Sequence, residues 1–93
     1  MTDEIINNVS MSRYELPIAD EAVALSYYSL EDGRVVLRHT EVPPEYGGQG
    51  IGKRLAHAVF ELLKADGKRV VAKCPFMAAY AARNPEYAVM LDG

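Results

Sequence analysis

The spacing of apolar residues shifts from a period of two to a period near 3.6 partway along this chain, and that shift predicts the order of its elements. From Ser12 to Ile18, Tyr14 and Leu16 fall on one side and Arg13 and Glu15 on the other, as in a half-buried strand. Ala19-Asp20 reads as a turn. Glu21 to Leu30 alternates again, with Val23, Leu25 and Tyr27 opposite Ala22, Ala24, Ser26 and Tyr28. Asp32-Gly33 is a type I′ hairpin signal, because that turn needs positive φ at both central positions. Arg34 to Val42 is the returning strand, and Pro43-Pro44 ends it because proline has no N–H to give a ladder. From Gly50 to Ala65, Ile51, Leu55, Val59, Leu62 and Leu63 recur at helical spacing, with Ala58 and Phe60 widening the stripe. Gly67 sits where a helix ends in the left-handed region.

The short run Arg69-Val70-Val71-Ala72-Lys73-Cys74 is β-branched and hardly alternates, as expected of a strand covered on both faces. Pro75 suits the first turn of a second helix through Phe76, Met77, Tyr80 and Ala81, which Asn84-Pro85 interrupts. Residues 1–10 have no periodicity and are expected to form a flexible arm before a single domain over 11–93. The predicted class is α+β: three antiparallel strands, a helix, a strand parallel to the third, and a helix.

Composition narrows the function classes. Ninety-three residues suffice for one core, and 49% hydrophobic with 25% charged residues excludes disorder and low-complexity behaviour. There is no internal repeat, no stretch near the ~20 apolar residues of a membrane span, and no basic, apolar leader at the start, so a cytoplasmic protein is expected. Cys74 is the single cysteine and His39 and His57 the only histidines, which rules out an internal disulfide and offers no zinc spacing; no metal is expected. The net charge of −3 argues against nucleic acid as a partner. The charge is nonetheless uneven, −6 over residues 1–45 and +3 over residues 46–93. Lys53, Arg54, Lys64, Lys68, Arg69, Lys73 and Arg83 lie in the basic half, with Lys64 and Lys68 read as solvated surface charge.

The basic half opens on Gly47-Gly48-Gln49-Gly50-Ile51-Gly52, followed by Lys53-Arg54. Glycines let successive N–H groups converge on one anion, and the helix beginning there adds unpaired first-turn donors and the positive end of its dipole. The run therefore reads as a phosphate cradle, with a plain flexible turn as the alternative. It is not a nucleotide-triphosphatase loop, since Arg54 stands where a magnesium-binding hydroxyl is required. Nor is it a dinucleotide fingerprint: its last glycine comes too early, and no buried apolar strand precedes it.

These features together resemble the GNAT superfamily of acetyl-CoA-dependent N-acetyltransferases. His39-Thr40-Glu41-Val42-Pro43-Pro44 is similar to the end of that family's cofactor strand, and Gly47 to Gly52 to its Q/R-x-x-G-x-G/A loop. Cys74-Pro75-Phe76 through Tyr80, with Arg83-Asn84-Pro85-Glu86-Tyr87, resembles the signature of a short single-domain branch. The resemblance covers roughly residues 12–87. Gly47 departs from it, replacing a glutamine or arginine, so the backbone must carry more of the phosphate contact. The N-terminal helices and later strands of longer members are not expected, which leaves the acceptor site open or completed by another molecule and a sheet edge available for an oligomer.

The resemblance implies acetyl-CoA as co-substrate and an amine, on a small molecule or a protein, as acceptor. It places the pyrophosphate on the N–H groups of Gly48, Gln49, Gly50, Ile51, Gly52 and Lys53 and the pantetheine arm along Thr40, Glu41 and Val42. Arg54 or Arg83 would take the ribose phosphate. An N–H near Val42 would polarise the thioester carbonyl. His39 and Glu41, two apart on one strand, are candidate bases or else ordinary surface polar residues. Cys74, between a strand and a helix N-terminus, is either a nucleophile forming an acetyl-enzyme or an inert core thiol. Tyr80 is a candidate acid for the leaving thiolate or a packed ring. Direct attack of the amine is the expected route. The rival class is a module that binds acyl-CoA without turnover.

Overall fold

The computed structural model describes residues 4–19 and 21–92. Five strands form one sheet in the order of the chain: β1 (Ile6–Asn8), β2 (Arg13–Ala19), β3 (Ala22–Glu31), β4 (Arg34–Glu41) and β5 (Arg69–Ala72). The first four are antiparallel neighbours, and β5 runs parallel to β4. Between β4 and β5 comes α1 (Ile51–Ala65); α2 (Pro75–Ala82) and α3 (Pro85–Ala88) follow. The class expected from the sequence is that of the fold, and the expected three antiparallel strands, helix, parallel strand and helix are β2 to β4, α1, β5 and α2; β1 and α3 are additional.

One expectation needs correction. Ile6–Asn8, assigned to a loose arm, pair with Arg13–Glu15 as the edge strand β1. Three residues are too few to show a period, and side chains add to the backbone pairing: Asn8 Nδ2 donates to Glu15 Oε2 at 3.0 Å and Tyr28 Oη of β3 donates to Asn7 Oδ1 at 2.7 Å. Residues 1–3, and Asp20 of the expected turn, lie outside the described residues. Pro17 sits in β2 beyond the reach of β1, where the outer edge has no ladder to break.

The turn chemistry is as read. Asp32 and Gly33 both have positive φ, at 53° and 77°, closing the β3–β4 hairpin. Gly67, at φ 65°, follows the C-cap Asp66, with Gly67 N–H donating to Lys64 O and Lys68 N–H to Leu63 O. That is the Schellman pattern, which returns the chain to the sheet at β5.

One face of the sheet carries the core. Tyr14, Leu16, Ala24, Tyr28, Val35, Leu37 and Val70 meet Ile51, Leu55, Val59, Phe60 and Leu63 of α1 and Met77 and Ala81 of α2. Phe60, Tyr80 and Tyr87 stack with centroids 5.2–6.1 Å apart and bind the three helices together. The Tyr87 hydroxyl, on a fully buried ring, donates to Glu61 and lies 3.2 Å from His57 Nδ1, tying α3 to α1. The other face presents the side chains of Val23, Leu25 and Tyr27 half-buried beside Arg13 and Glu15, outside the helix-packed core.

The outer side of β5 is not left bare. Val70 N–H donates to Met90 O and Asp92 N–H to Val70 O. Asp92 then receives Arg34 Nε at 2.9 Å and two Arg69 nitrogens at 3.0 and 2.7 Å. Arg69, counted among the basic residues that a ligand would meet, is thus spent on this clasp, and the edge expected to serve an oligomer is covered at Val70.

The Tyr87 hydrogen bond, as the largest cause, holds the Glu61 carboxyl below its ordinary value. A carboxyl lowered on folding stabilises the folded state above its unfolded value, and that contribution is lost as pH falls through the folded value. Tyr87→Phe should therefore flatten the fall in melting temperature of the wild-type protein between pH ~6 and ~3, which span the carboxylate range; calorimetry at stepped pH checks it.

Candidate active site

The site begins where two parallel strands part. The β4–β5 ladder ends at Leu37↔Ala72. There the Leu37 carbonyl accepts two donors, Lys73 N–H at 2.9 Å and Cys74 N–H at 3.0 Å. Pro75 follows at once and starts α2, so the chain cannot continue along β4. On β4 the register with β3 slips between Tyr27 and Tyr28, leaving Arg38 as the extra residue of a bulge. Bulges bend a strand and re-aim its side chains. Arg38 is held by Ser29 Oγ and Glu31, and beyond it the outer edge of β4 from His39 to Glu41 has no strand beside it among the described residues.

Alternation then divides the candidate residues between two faces. Thr40, paired with Ser26, points to the helix side, and its Oγ1 lies 3.3 Å from Cys74 Sγ. Cys74 is the N-cap of α2 and is 5% exposed. His39 and Glu41, paired with Tyr27 and Leu25, point to the open face, with His39 Nε2 3.8 Å from Glu41 Oε2. The imidazole also stacks on Tyr27, with centroids 6.2 Å apart. The structure brings Thr40 together with Cys74 and His39 together with Glu41, the two pairs flanking the unpaired edge.

Past β4, Val42 and Tyr46 pack on the core, and Pro44–Tyr46 form a 3-10 turn. Gly48 and Gly50 adopt φ 79° and 74°, in the left-handed region, with Gly50 as the N-cap of α1. Ile51, 4% exposed, pins the start of that helix into the core while Gly47 to Gly50 stay on the surface. The N–H groups of Gly48, Gln49, Gly50, Ile51, Gly52 and Lys53 donate to no protein group among the described residues; the first helical bond is Arg54 N–H to Gly50 O. Gly50 has no side chain with which to cap them. Unpaired donors on a glycine turn, at the positive end of a fifteen-residue helix with Lys53 and Arg54 exposed on its first turn, suit a diphosphate. The residues present therefore fit coenzyme A at this end.

Arg83 lies exposed at the C-cap of α2. The Tyr80 ring packs on Phe60 and Tyr87, and its hydroxyl is pushed above its ordinary value by burial first, then by Glu86 and Glu61. Its charged neighbours are thus those of the α1–α3 contact, not of the Thr40–Cys74 mouth.

Phe76 is a site residue the sequence reading passed over. Its ring, 38% exposed, lies over Gly52, where an added Cβ would come within 2.9 Å of the ring's outermost carbon. The sequence places it in the second helix and assigns it no role; the glycine facing it was the signal. Gly52→Ala should gain about 1 kcal/mol from helix propensity in a Phe76→Ala background and less or nothing in the wild type, where the ring must move. Gly50→Ala should cost about 1–2 kcal/mol in either background from left-handed strain. A denaturant double-mutant cycle reads all three.

With this geometry in hand, comparisons with known proteins become informative. A family model described as GCN5-related N-acetyl-transferase matches residues 13–90. Protein NATD1 of Gallus gallus and that of Mus musculus are each 37% identical to this chain over 67 residues, covering 71% of it and 59% of their own length. The Homo sapiens protein of that name is also 37% identical and is covered over 58%. The matched part thus spans less than two thirds of these curated relatives. An NMR solution structure of a GCN5-like protein from Staphylococcus aureus superposes with a TM-score of 0.70 at 28% identity, covering 97% of this chain and 88% of that one. The split strands, the glycine turn before α1 and the match over residues 13–90 agree: this chain belongs to the GCN5-related N-acetyltransferase family.

Proposed function

We propose that the protein transfers an acetyl group from acetyl-CoA directly to an amine. The observation that carries this reading is the fan of unpaired N–H groups from Gly48 to Lys53, set beside the parted end of β4 and β5. The fan supports binding of the pyrophosphate, with Lys53, Arg54 and Arg83 as cations for the remaining phosphate. The free edge from Thr40 to Val42 supports pairing with the amide-bearing pantetheine arm. Acetyl-CoA supplies an activated thioester whose carbonyl carbon accepts the amine.

The chain's own groups then have three tasks: to free the amine of its proton, to stabilise the developing oxyanion, and to see the thiolate protonated. His39, exposed on the open face and oriented by Glu41, takes the amine proton directly or through a water. A main-chain N–H of the unpaired β4 edge faces the oxyanion, a contribution of about 10²–10³ in rate for one donor. We assign Tyr80 to packing, on its neighbours Phe60 and Tyr87. The half-buried residues of the open face, beside Glu15 and Glu41, form the approach for the acceptor.

A second reading draws on the Thr40–Cys74 contact of 3.3 Å at the mouth. There Cys74 Sγ gives up its proton, attacks the thioester carbonyl and expels coenzyme A as its thiol, and the amine then attacks the acetyl-cysteine and releases the Cys74 thiol. Melting curves with acetyl-CoA separate binder from non-binder: at about 100 times its dissociation constant the cofactor should stabilise the protein by about 2.7 kcal/mol. Turnover on a panel of amines should survive in Cys74→Ala and fall at least tenfold in His39→Gln. Loss of turnover in Cys74→Ala, with an acetylated wild-type protein in the mass spectrum, would establish the acetyl-enzyme instead. Binding without turnover on any amine would leave a CoA-binding module.

A further inference from the structure

Ser26 is buried in the middle of the sheet at 1% exposure, and its Oγ has no hydrogen-bond partner among the described residues. A buried hydroxyl left unpaired is destabilising, so its presence calls for a physical reason. Its surroundings supply one. Ser26 stands directly across the β3–β4 pair from Thr40, and both side chains point to the helix face. Directly opposed Cβ atoms are about 4.5–5.5 Å apart, a spacing at which hydroxyl pairs form hydrogen bonds between strands. On the other side of Thr40 lies Cys74 Sγ at 3.3 Å, in a contact whose donor the heavy atoms leave open.

A hydroxyl has one proton and two lone pairs, and one that accepts a hydrogen bond is polarised into a better donor of its own proton. If Thr40 receives a proton from behind, its own proton is free to turn to the sulfur. If nothing donates to Thr40, the thiol is free to donate to it instead, and the S–H then points inward.

We propose that Ser26 is a positioning residue: its hydroxyl donates to Thr40 Oγ1, by rotation about χ1 or through one water, so that Thr40 donates to Cys74 Sγ. The Cys74 S–H is thereby turned away from Thr40 and out into the gap between β4 and α2. Hydroxyls, thiol and gap form one directed line of donors running from the core to the mouth. Ser26 acts through Thr40 and touches no ligand itself. The orientation of this line does not depend on the acetyl-transfer reading, and it is tested without cofactor.

Because Cys74 is the only cysteine, its S–H stretch is a single infrared band, isolated by subtracting the spectrum of Cys74→Ser. In Ser26→Ala the band should move to lower frequency, as the thiol turns to donate to Thr40. In Ser26→Thr, which keeps the hydroxyl, the band should stay at the wild-type position. A band unmoved in Ser26→Ala overturns the proposal. So does a band that moves equally in Ser26→Ala and Ser26→Thr, because packing and not the hydroxyl would then set the thiol. Thr40→Val adds a check that does not alter Ser26: the band should take the position of an unbonded thiol, and coincidence with Ser26→Ala would also overturn it.

Discussion

The site depends on one carbonyl oxygen. Leu37 O ends the parallel ladder by accepting both Lys73 and Cys74, and with that bond pair the chain turns from β5 into α2 while β4 runs on alone. The residues assigned to the chemistry flank this divergence, Thr40 and Cys74 on one side and His39 and Glu41 on the other, with the glycine turn a short span beyond. A sheet that stayed zipped through Glu41 would have the same core but no free main chain at this edge.

The divergence is enforced from several directions at once. Pro75 prevents β5 from continuing as a strand partner, and the Arg38 bulge bends β4 where the partner leaves. The Asp92 clasp with Arg34 and Arg69 holds the opposite end of the same two strands. These are local backbone and charge effects, so the parting of the two strands is held without a second layer of helices over the open face among the described residues.

Much of this was legible in the sequence, for reasons that differ along the chain. The hairpin at Asp32-Gly33, the helix over Ile51–Ala65 and its Gly67 stop are set by local rules of φ and period, and such rules are visible in one dimension. The glycine turn was legible as a cradle because only backbone conformation was needed to read it. What escaped depends on register. The one-residue slip at Arg38 decides which side chains share a face, yet no local signal distinguishes bulged from regular strand there. The opposition of Ser26 and Thr40, the approach of Phe76 to Gly52 and the short pairing of β1 are long-range matches of the same kind. Arg69 looked like ligand-steering charge because its partner lies twenty-three residues away.

One property of the glycine turn reaches beyond its shape. Its donors are peptide amides, and amides neither gain nor lose a proton in any medium where a protein stays folded. An anion held by them is held alike in mildly acid and mildly alkaline solution. A dependence of binding or turnover on acidity must therefore originate outside this turn, in titrating side chains or in the ligands' own phosphate and amine groups.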